Sequence, residues 1–143
     1  MSKIILEIVT PEGAVFNEGV DEVILPGTQG ELGVLPGHVP LMTTLGSGRL
    51  IAIADGVKHR FAVHGGFAEV LPEKVVILTE ASELAGDIDS ERAKTALATA
   101  EEALKNAEAA RGEEVGDADP AEMHRAALER ARARLIVSDE DKD

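Results

Sequence analysis

The chain has 143 residues and a mass of 15.0 kDa, is 44% apolar, and has Phe16, Phe61 and Phe67 as its only aromatics. It therefore holds one ordinary domain, or one small domain with an appendage, around a core of Val, Ile, Leu and Ala. A formal net charge of -13 argues against a general nucleic-acid binder or an anionic-membrane binder, and the absence of cysteine excludes disulfides, a thiol nucleophile and a Cys-based zinc site.

The start, Met1-Ser2-Lys3-Ile4, lacks the basic and long apolar regions of a signal peptide. No apolar run approaches the roughly 20 residues of a spanning helix, so a soluble, cytosolic-side protein is expected. Ile4 to Val9 reads as a strand closed by Thr10-Pro11-Glu12-Gly13, with Pro and Gly at turn positions. A short strand at Val15-Phe16 ends at Asn17-Glu18-Gly19, and Val20 to Leu25 forms a further strand up to Pro26-Gly27. The stretch Gly27 to Leu41 carries four glycines and two prolines around the apolar run Leu32 to Leu35, which predicts a tight corner. Strands are expected at Leu41 to Leu45 and Arg49 to Ala54, broken by Gly46-Ser47-Gly48. Asp55-Gly56 is a hairpin signal. Lys58 to Val63 returns, His64-Gly65-Gly66 is expected to turn the chain, and Phe67 to Leu71 and Lys74 to Leu78 complete the strands.

Beyond Glu80 the pattern changes. Asp89 to Ala110 is rich in Ala, Glu, Lys and Leu without Gly or Pro, which favours a helix with Asp89 as N-cap and Gly112 as stop. Ala93, Leu97, Ala100, Leu104 and Ala107 form one stripe along it. Asp119-Pro120-Ala121-Glu122 opens a second helix running to about 137, and the polar loop Gly112 to Asp117 predicts an antiparallel hairpin. Ser138 to Asp143 reads as a frayed end. The fold class is α+β in two parts: an antiparallel β-sandwich or barrel within residues 1–84, then an antiparallel α-helical hairpin within 85–143, with helices at about 89–111 and 120–137. Alanine buries little area, so the hairpin is expected to be marginal alone and easily switched.

Enzymatic constellations are missing from the sequence. His38, His59, His64 and His124 are scattered without metal-ligand spacing, Gly46-Ser47-Gly48 lacks the framing of a nucleophile elbow, and the glycine-rich segments match neither phosphate-loop pattern. The charged helices carry more. Asp89 and Arg92 share a face of the first helix, Arg130 and Arg134 share a face of the second, and an antiparallel hairpin brings those ends together near Glu83. Two guanidiniums suit a triphosphate and the carboxylates suit a base or ribose, or hold the arginines in place; spacing alone favours the plainer alternative, a surface salt-bridge face worth roughly 0–1 kcal/mol per pair.

Four segments together resemble the ε subunit of bacterial and chloroplast F-type ATP synthases. They are Val9 to Gly13, Gly30 to Leu41, Gly65-Gly66-Phe67-Ala68-Glu69-Val70 and Ile88-Asp89-Ser90-Glu91-Arg92-Ala93, and they span nearly the whole chain in order. The resemblance implies a non-catalytic rotor subunit in the central stalk. Its sandwich would dock on the γ subunit and the ring of c subunits, and its hairpin would either fold down or extend toward the catalytic α and β subunits to hinder ATP hydrolysis. It further implies a peripheral protein on the cytoplasmic face of the bacterial plasma membrane. No cofactor is required, but Ile88, Asp89, Arg92 and Ala93 match the family's ATP motif, with Glu83, Arg130 and Arg134 where its other polar contacts fall, so a regulatory ATP is implied. Arg125, Arg130, Arg132 and Arg134 are the implied contacts with the catalytic β subunit, and Glu31 and His38 the implied contacts on the c-ring side. The elements alone are also compatible with a free-standing sandwich-and-hairpin adaptor for another partner; a hydrolase or transferase has no visible nucleophile, metal or acid-base cluster.

Overall fold

The structure, a computed structural model, describes residues 3–109 and 120–140. Strand β1 (Ile4–Thr10) alternates in burial, with Ile4, Leu6 and Ile8 fully buried, as a period-two apolar pattern requires when one face covers a core. A turn at Pro11-Glu12, in which the Glu12 amide donates to Thr10 Oγ1 (3.2 Å), leads into antiparallel β2 (Gly13–Val20). Strands β3 (Glu22–Gly27) and β4 (Gly30–Val34) form a hairpin across Thr28-Gln29. The expected corner from Gly27 to Leu41 is therefore a hairpin turn, a strand and a loop in succession. That loop is tied down by backbone bonds from Gly37 to Pro72 (2.8 Å) and from His38 to Leu35 (3.1 Å).

Strands β5 (Leu41–Ala54) and β6 (Val57–Val70) pair over nearly their whole length across Asp55-Gly56, whose φ values of 52° and 80° are those of a tight two-residue hairpin turn. The predicted breaks at Gly46-Ser47-Gly48 and His64-Gly65-Gly66 do not end these strands. Glycine here serves close approach. A Cβ on Gly66 (φ 111°) would lie 1.8 Å from the carbonyl oxygen of Leu78, and one on Gly48 would lie 2.8 Å from Pro26 Cβ. The long β5–β6 ribbon thus serves both layers of the sandwich. Its outer half pairs with β7 (Lys74–Leu78) through Phe67↔Leu78, and its hairpin half pairs with β3 and with β8 (Ser82–Leu84).

The strand order β2-β1-β7-β6-β5-β3-β4, with β8 also on β6, departs from the expected all-antiparallel pairing at one place. Strands β1 and β7 run parallel, from Ile5↔Lys74 to Val9↔Leu78. Turn residues specify only consecutive strands, and this pair is joined by some sixty intervening residues, roughly the case in which local chemistry is silent. Between the layers lies the core of Ile4, Leu6, Ile8, Val20, Val23, Leu25, Leu50, Val63, Val75, Ile77 and their neighbours. Phe61 meets Phe16 edge-on, with centroids 5.3 Å apart.

A single 3-10 turn, Ala85–Asp87, leads to α1 (Ser90–Ala109), and α2 (Pro120–Glu140) follows. Asp89 caps α1 as expected: its Oδ1 accepts from the Arg92 amide (3.1 Å). The predicted stripe is the packed one, with Ala93 and Ala100 buried and Leu97, Leu104 and Ala107 half-buried. The Gly112 stop, the 112–117 loop and the Asp119 cap lie outside the described residues. Helix α2 packs on α1 with one side and on β5 and β6 with the other. Val137, fully buried, sits against Ala62, Ala85 and Ile88. The frayed end predicted from Ser138 instead continues α2 to Glu140, because Arg49 on β5 forms an ion pair with Glu140 and Arg60 approaches the same carboxylate at 3.8 Å. Among the described residues no helix is long and apolar enough to cross a membrane.

Candidate functional site

The junction of the sandwich with the hairpin encloses a cavity of about 390 Å³ lined by Glu83, Asp87, Ile88, Asp89, Arg92, Ala93, Ala96 and Arg134. Six of the seven residues expected to hold a ligand are thus brought together. Glu83 is delivered by β8, Ile88 and Asp89 by the link after the 3-10 turn, Arg92 and Ala93 by the first turn of α1, and Arg134 by α2. Arg130, the seventh, lies one turn earlier on α2 and is close enough for its charge to act on His64.

At the centre is Glu83. Its Oε1 accepts from Arg134 Nε at 2.7 Å and from His64 Nε2 at 2.9 Å. Burial alone would raise this carboxyl, but the bonds from Arg134 and His64 outweigh it and hold Glu83 below the ordinary carboxylate range. His64 goes the same way for another reason: burial pushes the imidazole down, against the pull of Glu83, and the Arg134 and Arg130 charges add to the fall. A neutral imidazole and an ionised carboxylate follow, with Nε2 carrying the hydrogen, since the carboxylate can only accept. The sequence places His64 in an expected turn, His64-Gly65-Gly66, whereas the structure places it inside β6. Its partners come from β8 and α2, 19 residues and more away in the chain, so no local spacing could have marked it.

The cavity holds three carboxylates, from Glu83, Asp87 and Asp89, and two guanidiniums, from Arg92 and Arg134. It is therefore a divided site rather than a plain anion hole. The start of α1 adds helix-terminal N–H groups and a positive dipole end beside Arg92. Ile88, Ala93 and Ala96 supply an apolar wall. A ligand that combines phosphate oxygens, N–H or O–H donors and a flat apolar body matches this division, and the volume lies in the ~300–1,000 Å³ range of small-molecule sites.

The other predicted contact residues separate. Arg125 pairs with Glu122 at 3.2 Å and Arg132 is exposed, so these two occupy the side of α2 away from Glu83, while Arg134 faces inward. Glu31 makes a two-pronged pair with Arg49 (2.7 and 3.2 Å), which holds the Glu31 carboxyl down and raises the guanidinium. Through Arg49 it is linked to Glu140 on α2, a connection sequence reading did not foresee. His38 lies in the loop after β4, where its Nδ1 bonds Val39 O at 2.7 Å. Around that loop Val39 is 71% and Met42 67% exposed, with Leu35 and Leu71 also open to solvent. A second apolar surface combines Val9, Pro11, Phe67 and Leu78. Among the described residues there is no cluster of metal-ligating side chains.

Comparison with known proteins agrees with this architecture. The family described as "ATP synthase, Delta/Epsilon chain, beta-sandwich domain" matches residues 3–85. The chain is 44% identical over 137 residues to the ATP synthase epsilon chain of Geotalea uraniireducens, covering 95% of this chain and 94% of that one. It is 46% identical over 135 residues to the ATP synthase epsilon chain of Solibacter usitatus, covering 94% of each. Among solved structures it resembles a chain of the Euglena gracilis mitochondrial ATP synthase, from an assembly of OSCP, F1 and c-ring, at a TM-score of 0.78 and 26% identity, covering 96% of this chain and 82% of that one. With its sandwich matched from end to end and bacterial relatives aligned over nearly its full length, the chain belongs to the ATP synthase epsilon chain family.

Proposed function

We propose that this chain is the non-catalytic central-stalk subunit of a proton-translocating ATP synthase, held peripherally on the cytoplasmic face of a bacterial plasma membrane. Its sandwich docks on the γ subunit and the c-ring, and its hairpin is the movable part that restrains ATP hydrolysis when it extends toward the catalytic α and β subunits. The two exposed apolar surfaces, around Val39 and Met42 and around Phe67 and Leu78, support the docking half, because large open apolar areas on a small sandwich favour partner contact. In that reading His38 belongs to the first surface, whereas Glu31 acts through Arg49.

The cavity between β8, α1 and α2 carries the regulatory half. We infer that it takes ATP. Arg92 and Arg134 would hold phosphate oxygens, Glu83 and Asp89 would accept from the base or ribose, and the start of α1 would add its dipole. Only the folded-down hairpin assembles all of these groups, so a bound ligand stabilises that state by linkage, ~2.7 kcal/mol at a hundredfold excess over Kd. Arg125, Arg130, Arg132 and, once released from Glu83, Arg134 would face an acidic segment of the catalytic β subunit in the extended state. Titration of the isolated chain with ATP tests the ligand half, with Arg92→Ala as the weakened control; absence of binding at millimolar ATP refutes it. Co-purification with a membrane-bound ATPase, and faster hydrolysis when residues 89–143 are removed, tests the rest.

A further inference from the structure

His64 belongs to no part of the ligand reading, yet it touches the cavity wall from beneath. Its side chain is 3% exposed, its Nε2 meets Glu83 Oε1 at 2.9 Å, and its Nδ1 is buried without a hydrogen-bond partner. The backbone at this point is fixed as well, since the His64 amide donates to Ala81 O (3.2 Å) and Thr79 Oγ1 (3.3 Å). The same Glu83 oxygen receives Arg134 Nε, so one carboxylate oxygen joins β6 and β8 to α2.

We propose that His64 is the positioning residue of this junction: its neutral imidazole orients Glu83 so that Glu83 anchors Arg134, and protonation of the ring releases α2 from the sandwich. The consequence for ligand affinity rests on the ATP reading, while the anchoring of α2 does not. A proton added to Nδ1 would enter a buried space with no acceptor, and the new charge would face Arg130 and Arg134 from α2. Glu83 on β8 is the opposing attraction, and Asp87 of the 3-10 turn lines the same cavity; Ser47 opposite on β5 and Thr79 after β7 do not titrate in this range. Undocking rehydrates both the ring and the arginines.

The direction follows from linkage. The docked ring protonates below its ordinary value of 6.5, so docking is fully supported above that value and weakens as pH falls below it. Glu83, already held below 4.5, stays ionised through this window, which isolates the histidine.

The chain has no cysteine, so labels at Val57→Cys and Glu129→Cys report the distance from sandwich to α2 cleanly. ATP affinity and this distance are measured at about pH 7.5 and 5.5 for the unaltered chain, H64Q and H64L. On acidification the unaltered chain should lengthen the distance and lose up to about tenfold more affinity than H64Q, which keeps a donor, cannot titrate and should hold its distance, losing only the affinity that protonation of the ligand's own terminal phosphate costs; H64L should be undocked and weak at both. An equal acid response in H64Q, or docking of H64L like the unaltered chain, overturns the proposal. So does a nitrogen NMR signature of the Nδ1–H tautomer in the unaltered chain, which needs no variant. A pH-dependent distance without any ATP binding supports the positioning role and refutes the ligand reading alone.

Discussion

Val137→Ala is the most direct probe of what holds the hairpin down. Val137 is fully buried against Ala62, Ala85 and Ile88, where the sandwich otherwise meets α2 mainly through small residues and ion pairs. The change removes two methyl groups, about 1.6 kcal/mol of transfer free energy at ~0.8 each, and a partly collapsed cavity brings the cost to about 1.6–2.5 kcal/mol. That corresponds to roughly a 15- to 70-fold fall in the docking equilibrium. Most of a helix's stability in a protein comes from packing rather than from propensity, so undocked α2 opens and its amides exchange. Hydrogen exchange should therefore show protection across α2 falling by that factor, while β1 amides around Leu6 keep theirs. Equal loss in β1 and α2 would mean that sandwich and hairpin unfold as one unit; unchanged protection in α2 would mean that the Val137 contact does not hold it. Either result refutes the reasoning.

Gly66→Ala should destabilise the sandwich by about 3 kcal/mol or more, because its Cβ would overlap the Leu78 carbonyl at a positive φ, whereas Gly46→Ala, with open space around its Cβ, should cost under about 1 kcal/mol; thermal unfolding separates the two. Arg49→Met removes the links to Glu31 and Glu140 but leaves Arg134 on Glu83, so α2 exchange should become less sensitive to salt than in the unaltered chain, where it should quicken as the screening length falls from about 10 Å at 0.1 M to 3 Å at 1 M. Glu83 has a lowered folded-state value, so the stability it contributes is present above 4.5 and lost as pH falls through that lowered value; acid titration of Glu83→Gln should lack this component.

The sequence by itself determined the local grammar. Asp55-Gly56 specified a hairpin because a tight two-residue turn needs positive φ at both positions, Asp89 capped α1 because its short carboxylate reaches the Arg92 amide, and the Ala93-to-Ala107 stripe followed from helical periodicity. The candidate-site residues were legible for a mixed reason: spacing put Asp89 with Arg92 and Arg130 with Arg134, the antiparallel hairpin put those ends near Glu83, and the resemblance added Ile88 and Ala93. Tertiary structure decided what depends on residues far apart in the chain. It made β1 and β7 parallel, kept Gly46 to Gly48 and Gly65-Gly66 inside the continuous strands β5 and β6, and extended α2 to Glu140 by supplying Arg49. It also gave His64 its partner, since a histidine between Val63 and Gly65 carries no signal until β8 brings Glu83 and α2 brings Arg134 to the same point. Turns and caps are settled by the conformations of a few adjacent residues, whereas ion pairs and sheet order are settled by which surfaces the burial of the core leaves facing each other.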